Sequence, residues 1–302
     1  MNMLLFAATA ILWGSSAIVT SHQAMSGAPE VSVGYRMTLV SLVMLGWCLA
    51  RGQKIGLSHQ QHPWVALQGI LFFGLAFISF YHATVFIPSG VAALVLSTSS
   101  LFAALVGRLF LGAPVTLRMI AGICAGIAGL AVIALPQLGS MGTSGETVSG
   151  LALATAAAAC TGCGTVVAMH NQRTGPPIAA LIGWAALFGA LFSFALAFLG
   201  DLSFRVEVTP AYLAGLAYLA IVASCITFFM YFSLVQRIGA ASASYTLALV
   251  PVVALFLSAL FEKLIIDTGV LVGAAAVLAG NVLVLSAQVR PQKEPVSKES
   301  TS

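Results

Sequence analysis

Long apolar runs alternate along the chain with short polar breaks, at a spacing too wide for strands and suited to membrane-crossing helices. A helix needs about 20 apolar residues to cross ~30 Å of hydrocarbon. No charged residue lies between Lys54 and Arg108, which leaves room for two crossings parted at Pro88-Ser89-Gly90. With Pro, Gly and charge as punctuation elsewhere, the pattern predicts ten spans: 3–21, 31–50, 64–85, 88–111, 115–135, 149–169, 178–199, 211–235, 240–261 and 268–287. A lipid-facing barrel would instead show segments of about ten residues with alternating polarity. The stretch from Gly150 to Ala159 (GLALATAAAA) does not alternate and is rich in strong helix formers. The predicted fold class is an all-α integral membrane protein with ten transmembrane helices.

Composition agrees. Of 302 residues, 60% are hydrophobic and 7% charged, and the mean hydropathy is +1.05. A soluble domain carries about 25% charged residues, so this chain has too few to coat a water-exposed surface. The formal net charge is +4, but Lys and Arg are scattered singly, and no basic stripe exists that could neutralise a run of phosphates. Nucleic-acid binding is excluded on that ground. Five Cys, at 48, 124, 160, 163 and 225, all fall in apolar stretches. An odd number in lipid argues against a disulfide framework. Cys160 and Cys163 have C-x-x-C spacing without a second Cys or His pair, which reads as small-residue packing rather than zinc or redox chemistry. The run from Met3 to Ser21 lacks a positively charged start and reads as a retained first span.

The charges also orient the chain. With both termini in the cytosol, Arg51, Lys54, Arg108, Arg118, Arg173, Arg237, Arg290, Lys293 and Lys298 lie inside, and only Arg205 and Lys263 lie outside. Six of the eight acids are then external. The tail from Val289 is polar, Pro-containing and free of aromatics, and is expected to be disordered and cytosolic.

An internal repeat follows. A shift of 151 residues places Phe80-Tyr81 on Tyr231-Phe232, Gly122 on Gly273, Gly129 on Gly280 and Ser100 on Pro251. Near the starts of the halves the offset is 148, where Trp13-Gly14-Ser15 meets Thr161-Gly162-Cys163. Each half holds five spans. Five is odd, so the second copy enters the membrane from the opposite side, as in secondary transporters whose substrate site lies near the midplane between inverted repeats. The expected division is a first five-helix repeat over 1–145, an inverted second one over 146–287, and the tail at 288–302.

Several short motifs, in this order and spacing, resemble the ten-helix, EamA-type branch of the drug/metabolite transporter superfamily. They are Trp13-Gly14-Ser15-Ser16 in span 1, Arg36 early in span 2, Leu111-Gly112 after span 4, Pro251 in span 9, and the Gly/Ala runs of spans 5 and 10. The resemblance covers residues 3–287, and within the branch the chain looks like bacterial exporters of amino acids, including aromatic ones. It implies a multi-pass protein of the bacterial inner membrane that exports small metabolites through a central cavity. Two departures stand out. Ser100 replaces the Pro expected in span 4, so that span should bend less or elsewhere, and Ala113 replaces the acidic residue that often follows Leu-Gly.

A polar side chain in hydrocarbon needs a partner or a job. Arg36, the one charge well inside a span, either anchors or gates near the outer interface or touches substrate. His82 and Tyr81 in span 3, with Tyr231 in the other half, are candidates to line one inter-repeat path; a satisfied His is the plainer alternative. Ser97 and Ser100, i and i+3 on one helix face, either back-bond to carbonyls or bind substrate. Trp13, Trp184 and Tyr245 lie inside spans rather than in interfacial belts; Trp13 has polar neighbours that favour the cavity, while core packing competes for Trp184. Asn281 reads as an interhelical hydrogen bond.

No Asp or Glu falls mid-span, although proton-coupled carriers commonly use a buried carboxylate. The cavity is therefore expected to be neutral, aromatic and hydroxyl-lined, suited to zwitterions with sizeable apolar side chains. The leading expectation is a facilitative exporter of amino acids or related metabolites by alternating access, needing no metal or cofactor and working as a monomer or homodimer. The alternative is a proton-coupled multidrug or organic-cation carrier, with His82 as the mid-span titratable group. No H-E-x-x-H, G-x-S-x-G or paired intramembrane Asp points to an enzyme, and no filter-like segment points to a channel.

Overall fold

The computed structural model of the chain describes residues 2–111, 116–139, 145–206 and 208–288. Among these residues there is no strand. Ten apolar helices result: α1 (Asn2–Ala24), α2 (Pro29–Ala50), α3 (Gln61–Phe86), α4 (in two pieces, Ser89–Ser97 and Ser99–Leu111), α5 (Leu117–Gly139), α6 (Gly145–Gln172), α7 (Ile178–Leu199), α8 (Pro210–Tyr231), α9 (Thr246–Phe261) and α10 (Thr268–Gln288). Eight are long and apolar enough to cross a membrane, and two shorter apolar helices, Leu117–Ile133 and Thr246–Phe261, supply the others. Local chemistry sets the starts. Pro29 and Pro210 occupy the first helical turn, where their missing N–H costs nothing, and the Thr209 side chain caps α8 by accepting from Tyr212 N.

Helical residues run without a break from Thr227 to Phe261, where the sequence predicts a gap between spans 8 and 9. The chain nevertheless reverses there. Gln23 Nε2 donates to Tyr212 O at 3.3 Å and Ser21 Oγ donates to Glu262 Oε1 at 2.7 Å, so Tyr212 and Glu262 both lie at the C-terminal end of α1. A straight helix of that length would hold them about 75 Å apart. Below, Tyr231 packs on Trp13 while Val253 packs on Gly14. The reversal therefore falls between Tyr231 and Val250, and α8 and α9 are two crossings.

The helices pack α1 on α8 and α9, α2 on α7, α3 on α6, α4 on α6 and α9, and α5 on α10. Exchanging the halves (α1 for α6, and so on) returns the same pairings, which is a pseudo-two-fold relation. Glycine contacts give its register. A Cβ on Gly122 would sit 2.6 Å from Gly280 O, and one on Gly129 would sit 2.6 Å from Gly273 O; these four residues are the repeat mates at an offset of 151. Gly34 packs under the Phe194 ring and Gly183 under Leu45, mates at an offset of 149. Gly14 faces Val253 and Val250 O, while Gly162 faces Phe102 and Ser99 O. In the α2–α7 and α5–α10 pairs, ascending positions on one helix meet descending positions on the other. The repeats are inverted, and Gly162, flanked by Cys160 and Cys163, serves the close approach of α6 to α4.

Two features lie outside the sequence pattern. The middle of α3 (Gly69–Leu75) and of α8 (Tyr218–Ile226) is π-helical, and the two stretches start 149 residues apart, at equivalent places in the halves. Helix α4 breaks at Thr98, whose ψ is −3°; Ser97 and Thr98 hydroxyls bond back to Leu94 O and Val95 O. Without a Pro at Ser100, where a weaker or displaced bend is expected, the helix breaks two residues earlier through hydroxyls, whereas Pro251 sits within helical residues.

The α5–α10 contact is backbone on backbone, so a single methyl should be felt. Gly129→Ala is expected to destabilise the protein by about 1–3 kcal/mol, as overpacked sites do, read as a lower thermal unfolding midpoint in detergent. Gly46→Ala, where a Cβ meets nothing within 4 Å, should cost nothing.

Candidate functional site

The end of the bundle at which α1 finishes, here the Glu262 end, is held by polar side chains from both repeats. Glu262, just past α9, accepts from Ser21 Oγ of α1, from Ser89 N (2.9 Å) and Ser89 Oγ (3.0 Å) at the start of α4, and from Ser258 Oγ one turn back. A carboxylate at a helix N-terminus with several donors makes strong, charge-assisted bonds. Nearby, Tyr81 is wholly buried and donates to Gln23 Oε1 at 3.1 Å; Gln23 Nε2 donates to Tyr212 O, and the Tyr212 hydroxyl lies 3.0 Å from Ser32 Oγ. This chain joins α3, α1, α8 and α2. His82 Nε2 lies 2.8 Å from Glu30 Oε1 in the first turn of α2.

One half-membrane deeper along α1, Trp13 meets Phe228 edge-on (ring centroids 5.6 Å apart) and Tyr231 at a tilt (5.3 Å). Ser15 Oγ and the Tyr218 hydroxyl lie 2.6 Å apart. Trp13 and Ser15 come from the first repeat, and Tyr218, Phe228 and Tyr231 from the second. Phe228 also lines a cavity of about 260 Å³ with Met44, Trp47, Gln53, Pro177 and Ile178, between α2, α7 and α8.

Arg36 lies between Phe77 of α3, two residues past its π-helical stretch, and Ser224 in the π-helical stretch of α8. Its residue is 4% exposed, its Nη2 donates to Ser224 Oγ at 3.3 Å, and its guanidinium carbon stands 4.6 Å over the Phe77 ring. Its Nε has no partner. The π geometry of α8 supports this contact: Ser224 Oγ in turn donates to Leu219 O, five residues back. The Arg36 side chain therefore turns into the bundle, between α2, α3 and α8.

The remaining predicted residues separate. Asn281 of α10 bridges the hydroxyls of α4, donating to Ser97 Oγ at 2.8 Å and accepting from Ser100 Oγ at 2.9 Å. Those hydroxyls, read as substrate ligands or back-bonders, do bond back, Ser97 to Leu94 O and Ser100 to Ser97 O, and also tie two helices together. Trp184 lies at the opposite end, its Nε1 donating to Ile55 O at 2.8 Å with His62 alongside. Tyr81 and Tyr231 do not sit at one level, since they meet α1 at Gln23 and Trp13, about 15 Å apart along that helix. The Tyr245 side chain lies outside the described residues, as does Ala113. Among the described residues no group of three His, Cys, Asp or Glu side chains gathers to hold a metal.

Sequence reasoning passed over Gln23, Tyr218, Ser224, Phe228 and Glu262. Gln23 and Glu262 carried a signal, as polar residues ending apolar runs, but it was indistinguishable from a boundary. If Glu262 holds the end of α4, Glu262→Gln should speed hydrogen–deuterium exchange across Ser89–Leu94 by about tenfold, the loss of roughly one charge-assisted bond. Exchange in α5 should not change, and an unaltered Ser89–Leu94 would contradict the assignment.

Known proteins place this geometry. No curated protein matches the chain. A solved crystal structure aligns with TM-score 0.64 over 96% of this chain and 99% of its own, at 21% identity, a likeness of fold alone. The model of the EamA-like transporter family matches twice, at residues 1–135 and 148–286, each match falling on one of the two inverted halves. The chain belongs to the EamA-like transporter family, and is a multi-pass membrane transporter.

Proposed function

We propose that the protein exports amino acids, aromatic ones among them, or closely related zwitterionic metabolites across the bacterial inner membrane. The observation that carries this reading is the lining at the repeat interface, where the rings of Trp13, Phe228 and Tyr231 adjoin the hydroxyls of Ser15 and Tyr218. Aromatic faces suit an apolar side chain, and hydroxyls satisfy polar ends at a modest gain per bond. A substrate held by such contacts leaves readily, as a carrier requires.

The repeats over 1–145 and 146–287 are the bodies that rock in alternating access, without ion coupling. The Lys and Arg bias puts both termini and residues 288–302 in the cytosol, which makes the Glu262 end external. The Glu262 cluster and the Tyr81–Gln23–Tyr212 chain then close the outer side, and the state described faces inward. In this reading Trp13 and Tyr231 touch substrate, Tyr81 belongs to the outer closure, and one chain, alone or as a homodimer, is the working unit.

A second reading, proton-coupled efflux of organic cations, draws on the His82–Glu30 pair as a titratable group. The buried positive charge of Arg36 opposes it, because a cation entering a low-dielectric path beside a fixed guanidinium is strongly repelled. Counterflow in proteoliposomes separates the two. Labelled phenylalanine or another amino acid is expected to accumulate well above empty vesicles, at a rate indifferent to a pH gradient. No amino acid moving faster than in empty vesicles would refute the export reading, and gradient-driven movement of an organic cation would establish the alternative.

A further inference from the structure

A guanidinium stays protonated in proteins and offers five N–H donors in a planar fork. Arg36 uses that capacity poorly. Among the described residues it makes one long bond, to Ser224, its Nε is buried without a partner, and the Phe77 ring covers one face. Among the described residues no carboxylate pairs with it; Glu30, on the same helix, is engaged with His82. An unpaired charge in the membrane interior is costly and marks a functional position. The depth is also telling. Phe77 lies nine residues from the end of α3 and Ser224 twelve from Tyr212, so the guanidinium sits about 14–18 Å from the Glu262 end, near the middle of a ~30 Å core.

We propose that Arg36 docks the carboxylate of the transported substrate. The inference rests on the export reading above and names the anchor of its site. Two parallel N–H···O bonds from the fork would take the place of the long Ser224 bond and engage the idle Nε. The Trp13–Phe228–Tyr231 cluster receives the apolar side chain, since Phe228 follows Ser224 by one turn of α8. The cavity between α2, α7 and α8 reaches Phe228, which gives an approach to within a turn of the guanidinium. Phe77 of α3 and Ser224 of α8 cover Arg36, and parting of these two helices uncovers the guanidinium. A carboxylate arriving there removes an electrostatic cost already present in the empty protein, so it gains more than a neutral group of the same shape.

The test compares wild type, Arg36→Lys and Arg36→Met in proteoliposome counterflow with phenylalanine and with phenylalaninamide, which lacks the carboxylate. Wild type is expected to prefer phenylalanine at least tenfold. Arg36→Met should lose most phenylalanine movement and bring the ratio close to one, and Arg36→Lys, a point charge without the fork, should fall between. Removing an unpaired buried charge does not weaken a fold, so Arg36→Met should unfold in detergent at or above the wild-type temperature, and phenylalanine should raise the wild-type midpoint alone. Undiminished phenylalanine preference in Arg36→Met would overturn the proposal. Should that variant not fold, equal wild-type counterflow of the two compounds would overturn it instead. If wild type moves no amino acid, the export reading fails and the anion site is judged by melting alone: an Arg36-dependent rise with 3-phenylpropionate supports it, and no rise overturns it.

Discussion

Five crossings per repeat force the two halves to meet antiparallel, and the contacts that let them do so are backbone on backbone. Lipid supplies no hydrophobic drive between helices, so close packing through small residues must substitute. Gly122 against Gly280 and Gly129 against Gly273 bring α5 and α10 together, and each contact is the image of the other under exchange of halves. The same holds where Gly34 and Gly183 accept Phe194 and Leu45. Once these pairs set the axis, the remaining helices are placed, and residues at matching depth in the two copies face one another across it.

That relation explains why the unusual features come in pairs. The π-helical centres of α3 and α8 occupy equivalent positions, and that of α8 carries Ser224, the partner of Arg36. The breaks are not fully symmetric, however. Hydroxyls interrupt α4 at Thr98, while its mate α9 carries Pro251 inside helical residues. The carboxylate at the end of α9, Glu262, ties α1 and α4 together, whereas Ala113 stands near the corresponding place in the first half. A carboxylate at Glu262 where the first half carries Ala113 is a physical reason for the two ends of the bundle to differ.

The spans were legible because hydrocarbon thickness imposes a length and because charges punctuate the chain. The inversion was legible because five is odd and because Gly122 and Gly129 recur at a constant offset. The π-helical stretches were not, since Gly69–Leu75 and Tyr218–Ile226 have the composition of any apolar helix and differ only in hydrogen-bond register. Pairing of polar residues distant in sequence was equally hidden. His82 with Glu30, Asn281 with Ser97 and Ser100, and Gln23 with Tyr81 depend on which helices become neighbours. Trp184 shows the same limit from the other side, because a mid-span Trp suits core and cavity alike in the sequence, whereas its indole bonds to the α2–α3 loop. Arg36 stood out in the sequence as an intramembrane charge, but that no carboxylate pairs with it among the described residues is a property of the fold.

The account depends most on the opposite threading of the two repeats. Gln53, in the loop after α2, and Asp201, in the loop after α7, are repeat mates in position and both are exposed. In a background freed of the five native cysteines, Gln53→Cys and Asp201→Cys should react with a membrane-impermeant thiol reagent from opposite sides of the membrane, Asp201→Cys in intact spheroplasts and Gln53→Cys only after the membrane is opened. Labelling of both from the same side would contradict the inverted architecture and the site built on its axis.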